Sequence, residues 1–143
     1  MTTILASMKH RVMVADSRIS GGGGHFRTQK IHQIDGKLVG CCGTSTHARK
    51  FIEWMTHGTA FNLAYDKEEH TFEALVMDGG FLFYFDNELV PLTVDEPYYA
   101  IGSGAAYAIG AMDAGASPQR AVELALARDE CSGPPITIVK HKL

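Results

Sequence analysis

The sequence predicts an α+β fold in which two antiparallel sheets stack face to face and helices lie outside them. Two observations carry that expectation. Strand-like segments in the first third come in pairs joined by short turns, the mark of antiparallel hairpins. Helix-like segments are grouped, giving the order ββββ, helix, βββ, two helices, β, whereas a doubly wound parallel sheet would alternate each strand with a crossover helix.

Alternating and β-branched residues mark strands over Thr2–Met8, Arg11–Ser17, Lys30–Ile34 and Lys37–Gly43. Lys9-His10 reads as a tight connection and Asp35-Gly36 as a type I′ turn, so two successive hairpins are expected. Between them, Ser20-Gly21-Gly22-Gly23-Gly24 reads as a flexible loop. Neither the Gly-Lys-Ser/Thr of a phosphate loop nor a helical pattern follows it. Thr44–His57 is predicted as a helix with Thr44 or Ser45 as N-cap, Ala48, Phe51, Ile52 and Met55 on its buried face, and Gly58 as its stop. In the irregular polar stretch that follows, Glu68-Glu69-His70 reads as a solvated turn. Glu73–Asp78 and Phe81–Asp86 are strands joined through Gly79-Gly80, a loop runs on to Pro97, and Tyr98–Ile101 is a strand entering Gly102-Ser103-Gly104. Ala105–Ala114 is a small-residue helix stopped by Gly115, Ser117-Pro118 opens another to about Arg128, and Ile136–His141 closes as a strand.

The 143 residues fit a single domain, 1–143, long enough to bury a core. With 45% hydrophobic and 20% charged residues and a net charge of -3, the chain offers no general attraction to nucleic acid or to an anionic membrane. It has no secretory n- and h-region and no apolar run approaching the ~20 residues that span a bilayer, so a cytoplasmic location is expected. Cys41, Cys42 and Cys131 form neither a disulfide framework nor a CxxC pair and read as buried thiols. The seven histidines lack ligand spacing, so neither a metal nor another cofactor is expected.

The first strand opens on Thr2. Thr is small enough at position two for an aminopeptidase to remove Met1, and Thr2 would then carry both a hydroxyl nucleophile and a free α-amine, whose unperturbed pKa of ~7.7–8.0 suits a general base near neutrality. The same residues could also be an ordinary opening strand. Five blocks bear on the choice: Thr2-Thr3-Ile4 with Val14-Ala15-Asp16-Ser17-Arg18, then Thr28-Gln29-Lys30-Ile31, Gly40-Cys41-Cys42-Gly43, Ile101-Gly102-Ser103-Gly104 and Arg128-Asp129-Glu130-Cys131-Ser132-Gly133. Any one is common by chance. In this order and spacing they resemble the proteasome β-subunit and HslV family of N-terminal-nucleophile (Ntn) hydrolases, over Thr2 to about His57 and again from about Glu73 to Val139.

The resemblance implies a four-layer αββα sandwich, the Ntn-hydrolase fold, and a threonine-type endopeptidase working through an acyl-enzyme at Thr2. It implies that Lys30 lies beside the Thr2 hydroxyl and that Asp16 holds it, the two sitting on strands that adjoin the first. It implies that the Gly43 N–H forms the oxyanion hole, and that Ser103, Asp129 and Ser132 orient the terminal amine. For substrate, it implies edges near Gly21 and at Thr44-Ser45 that pair with an extended peptide. Ile19, Thr28, His32, Cys41 and Ser45 fall at the positions of the pocket for the residue before the cut, a small or polar lining with no strong charge preference. Expected partners are unfolded protein or peptide, other copies of the chain in a ring or smaller homo-oligomer, and an ATP-dependent unfoldase.

The chain departs from the family pattern in one place. Only 14 residues, Thr59 to Phe72, fill the gap where the family has a long second helix, so one helix is expected to be missing or shortened, as in a minimal bacterial or phage-type member. Two other readings stay open on these residues: an Ntn amidase acting on a small molecule, and a catalytically inactive assembly protein that retains Met1.

Overall fold

The computed structural model describes residues 2–21, 23–58 and 72–142. One sheet has the order β10-β1-β2-β11, built from β1 (Thr3–Ser7), β2 (Val12–Ala15), β10 (Tyr98–Gly102) and β11 (Thr137–Lys140). The other runs β5-β6-β7-β8-β9, from β5 (Ile31–Ile34), β6 (Lys37–Gly43), β7 (Phe72–Asp78), β8 (Phe81–Phe85) and β9 (Leu92–Thr93). All neighbours in both sheets are antiparallel. Three helices complete the described residues: α1 (Ser45–His57), α2 (Ala105–Asp113) and α3 (Pro118–Arg128).

The strand period of two sorts side chains into three apolar layers. Ile4 and Ala6 of β1 and Met13 and Ala15 of β2 meet Leu38, Leu75 and Met77 between the sheets. From the other face of the same strands, Leu5, Val12 and Val14 meet Ala108 and Met112 of α2 and Ala121, Val122 and Ala125 of α3. On the far side of the second sheet, Val39, Ala74 and Val76 pack beneath Phe51 of α1. The order is therefore helices, sheet, sheet, helix, the expected four-layer αββα sandwich. Because β1 and β2 are buried on both faces, and each large apolar side chain contributes about 1.5–3 kcal/mol on burial, the strand that carries the first residues is among the most firmly seated.

Local chemistry explains the punctuation. Asp35 (φ 49°) and Gly36 (φ 79°) both take positive φ, as a type I′ turn requires. Gly58 ends α1 in the left-handed region, and the Ser117 hydroxyl accepts from Arg120 N at the start of α3.

Three features differ from the sequence expectation. The glycine-rich segment is not all loop: Ser20, Gly21 and Gly24 belong to β3 (Arg18–Gly21) and β4 (Gly24–Arg27), a two-stranded ribbon with Ile19 opposite Phe26 and Gly21 opposite Gly24. The residues flanking the glycines set the pairing, and Gly21 with Gly24 is its last pair. The segment before Pro97 is not all loop, because Leu92–Thr93 adds to the sheet edge against Tyr84 and Phe83. Finally, Lys30 does not come from a strand beside β1. It precedes β5, in the opposite sheet, while Asp16 sits just beyond the end of β2. Apart from Phe72, which opens β7, the Thr59–Phe72 gap lies outside the described residues, as does the expected turn at Glu68-Glu69-His70.

Candidate active site

The first residues are fixed from three sides. Backbone pairing of β1 with β10 sets Thr3 opposite Gly102, and Asp16 N donates to Thr3 O at 3.1 Å. Gly102 (φ 96°) can only be glycine, since a Cβ there would lie 2.0 Å from Thr2 O. Thr2 thereby projects from the end of a buried strand into a gap between the two sheets.

Lys30 reaches that gap from the second sheet. Its Nζ donates to Thr2 Oγ1 at 3.0 Å, to Asp16 Oδ1 at 2.9 Å and to the Arg18 carbonyl at 2.6 Å. An ammonium only donates, so the Thr2 hydroxyl accepts from it and keeps its own proton for another acceptor. Asp16, fully buried, receives Thr3 N on Oδ1 at 3.0 Å and Gly133 N and Arg18 N on Oδ2 at 3.0 and 3.3 Å. A buried carboxylate without such donors would be left with costly unsatisfied acceptors. Burial holds the Lys30 amine below the usual lysine range, while the hydrogen bond and charge of Asp16 pull it up.

A second polar cluster lies behind β1. Asp129 Oδ2 accepts from Ser103 Oγ at 2.7 Å and from Ser132 Oγ at 2.5 Å, and its Oδ1 accepts from Cys131 N at 3.1 Å. Burial pushes the Asp129 carboxyl up, yet the bonds from Ser132, Ser103 and Cys131 outweigh it and hold the group below the usual carboxylate range. Ser103 Oγ also lies 3.3 Å from Thr2 O, and Ser132 Oγ 2.8 Å from Thr3 Oγ1. The two clusters thus grip consecutive residues of one strand, Lys30 and Asp16 on one side and Asp129 with its serines on the other.

A cleft of about 750 Å³ opens in front of Thr2 and Lys30, lined among others by Ile19, Thr28, His32, Cys41, Gly43 and Ser45. Gly43 ends β6 with φ 106°, a conformation that suits glycine. Gly21 ends β3, paired with Gly24, and Thr44, next to the cleft residues Gly43 and Ser45, holds the N-cap position of α1. Burial keeps the His32 imidazole below the usual histidine range. The Cys42 thiol is pushed up to about 12 by burial and by Glu73, and burial raises Cys41 further. Both remain thiols.

Residues to which the sequence reading gave no role complete the site. Thr3, through its N–H and hydroxyl, and Gly133 and Arg18, through backbone N–H groups, bind the two aspartates or their serines. Each stands in a segment quoted for the resemblance, but nothing in those segments marks it as a contact. Arg49, Lys50 and Glu53 of α1 also line the cleft, so its wall is not only small and polar. A signal for two of these was present: Ser45, Arg49 and Glu53 are spaced by four and share one helix face.

The sandwich and the gripped first strand define the class: an Ntn-hydrolase, proteasome-like fold. Among solved structures, the chain is similar to the BPH of Thiobacillus denitrificans in complex with epoxomicin (TM-score 0.72, 17% identity, covering 99% of this chain and 100% of that one). It is also similar to BPH of the same organism solved alone (TM-score 0.67, 17% identity, 99% and 98% covered) and to the eukaryotic HslV of Trypanosoma brucei (TM-score 0.69, 19% identity, 98% and 100% covered). These likenesses span nearly the whole chain and establish an HslV-like, proteasome β-type fold. No protein-family model matches the sequence, and no curated protein does. Among the described residues no helix is long and apolar enough to cross a membrane.

Proposed function

We propose that the protein is a threonine peptidase that hydrolyses peptide bonds through an acyl-enzyme at Thr2, once the residue preceding Thr2 has been removed. The observation that supports it best is the contact of Lys30 Nζ with both Thr2 Oγ1 and Asp16 Oδ1, at 3.0 and 2.9 Å, at the head of a cleft. In this reading Thr2 Oγ bonds to the scissile carbonyl carbon as its proton passes to the freed α-amine. The Lys30 charge steadies the oxygen as it loses that proton, and the Gly43 N–H receives the carbonyl oxyanion. Collapse breaks the C–N bond, and the ammonium returns the proton to the leaving amine. Water, with the α-amine again as base, then cleaves the ester. Ser103, Asp129 and Ser132 orient that amine, and Ile19, Thr28, His32, Cys41 and Ser45 receive the side chain before the cut, with Gly21 and Thr44 at the edges that pair with the peptide. The substrate is peptide or unfolded protein, delivered to a homo-oligomer in the cytoplasm with an ATP-dependent unfoldase as partner.

The test is cleavage of an unfolded protein by Thr2→Ala alongside the parent, with intact mass of both. The parent should lack the residue before Thr2, cut the substrate and gain the mass of an epoxyketone such as epoxomicin; Thr2→Ala should fold and do neither. Undiminished turnover by Thr2→Ala overturns the reading.

A further inference from the structure

We propose that the β3–β4 ribbon of one molecule docks into a groove at the far end of a second copy of this chain, Phe26 entering between Met8, Phe81 and Pro97 while His25 and Arg27 face Asp95 and Glu96. This deepens the self-association in the proposed function and rests on that part of it, but not on the chemistry at Thr2.

The ribbon is under-supported on its own. It has only two strands, and an isolated two-stranded hairpin is marginal in water. All four residues of β4 are exposed, Phe26 at 60%. Its charged and titratable side chains are Arg18, His25 and Arg27, with no acid among the residues of either strand.

The groove has the opposite character. It holds about 400 Å³ and is lined by Met8, Phe81, Leu82, Val94 and Pro97 with Asp95 and Glu96, and no lining residue is a cation. Phe81 is 60% exposed, although its ring stacks with that of Phe83 at 6.0 Å between centroids. Its walls are tied together, because Met8 N donates to Pro97 O at 2.8 Å and Val94 N to Leu82 O at 2.8 Å. A preformed slot of mixed lining, apolar side chains beside Thr93 and an acidic rim, matches an apolar knob flanked by basic residues.

A molecule cannot fill its own groove. The ribbon follows Asp16-Ser17, which lie at the Thr3 end of β1, whereas Met8 follows the other end, five residues or about 17 Å away. The contact therefore joins unlike surfaces head to tail, which closes into a ring or runs on as a chain. Ile19, directly across from Phe26, lines the cleft, so a docked copy forms a rim of the cleft on that side.

The experiment is sedimentation velocity on the full chain, on Phe26→Asp, and on the double variant Asp95→Arg with Glu96→Arg. The parent should run as an assembly and each variant as a monomer with an unchanged melting curve. Mixing the two variants should give a heterodimer and nothing larger, because one intact ribbon then meets one intact groove. A monomeric parent, variants that assemble like the parent, or a mixture that stays monomeric overturns the proposal. Should Phe26→Asp misfold, Arg27→Glu takes its place with the same outcomes. Peptide cleavage is measured in parallel: assembly without cleavage counts against the peptidase reading alone, and cleavage by a monomer against this docking alone.

Discussion

Thr3 Oγ1 donates to Ser132 Oγ across 2.8 Å, and the direction of that bond is fixed. Ser132 has one hydroxyl proton, and it is directed at Asp129 Oδ2, so the hydrogen between the two hydroxyls belongs to Thr3. Thr3→Val keeps the shape and removes the donor, leaving Ser132 short of a partner in a buried site; the expected loss is about 1–3 kcal/mol. Thr3→Ser should recover most of it. Urea unfolding of the three proteins checks this, and equal midpoints for Val and parent would contradict it.

Acid should destabilise the fold through Asp129. Its folded carboxyl lies below the usual range, so above the unfolded value both states are ionised and the stabilisation is complete. As pH falls beneath the ordinary carboxylate value, the unfolded chain takes up the proton first, and stability declines until the folded carboxyl is also protonated. Melting temperature against pH, from 6 down to the acid transition, should fall more steeply for the parent than for Asp129→Asn.

Lys30 acts with the opposite sign of charge. Its folded amine gives up a proton more readily than the usual lysine, so in the window below 10.5 the unfolded chain binds more protons and stability rises with pH. The same deprotonation removes the charge beside Thr2 Oγ1. Cleavage should therefore decline on the alkaline side before ordinary lysines titrate, while the fold persists. A rate that stays flat up to pH 10.5, with the fold intact, would separate the lysine charge from the chemistry.

The buried thiols should be slow to alkylate. Only the thiolate reacts, and Cys42, although it lines the cleft, is pushed up to about 12 by burial and by the Glu73 carboxylate. With iodoacetamide at pH 8, Cys42 should stay unmodified in native protein and react fully in urea. Glu73→Gln should speed its labelling, read by peptide mass.

Much of the architecture was legible because it is written locally. The I′ turn at Asp35-Gly36, the stop at Gly58 and the cap at Ser117 each depend on a few adjacent residues, and the alternation in β1 and β6 fixes which side chains face which layer. The ribbon was missed because four glycines outweigh, in a composition reading, the pairing of Ile19 with Phe26. That Lys30 reaches Thr2 from the opposite sheet is a consequence of stacking, and no short window of sequence contains it. The resemblance supplied the residues; only packing shows that Thr3, Arg18 and Gly133 hold them in place.

The helical wall of the cleft is built separately from its chemistry. Arg49 and Glu53 lie on the exposed side of α1, whereas Thr2, Lys30 and Asp16 are locked among sheet ends. Surface helix positions accept most substitutions within about 0.5 kcal/mol, so α1 can be rewritten two residues at a time without disturbing the hydroxyl, the amine or the carboxylate. Selection, or an engineer, is free to retune what the cleft admits while the reacting groups stay as they are.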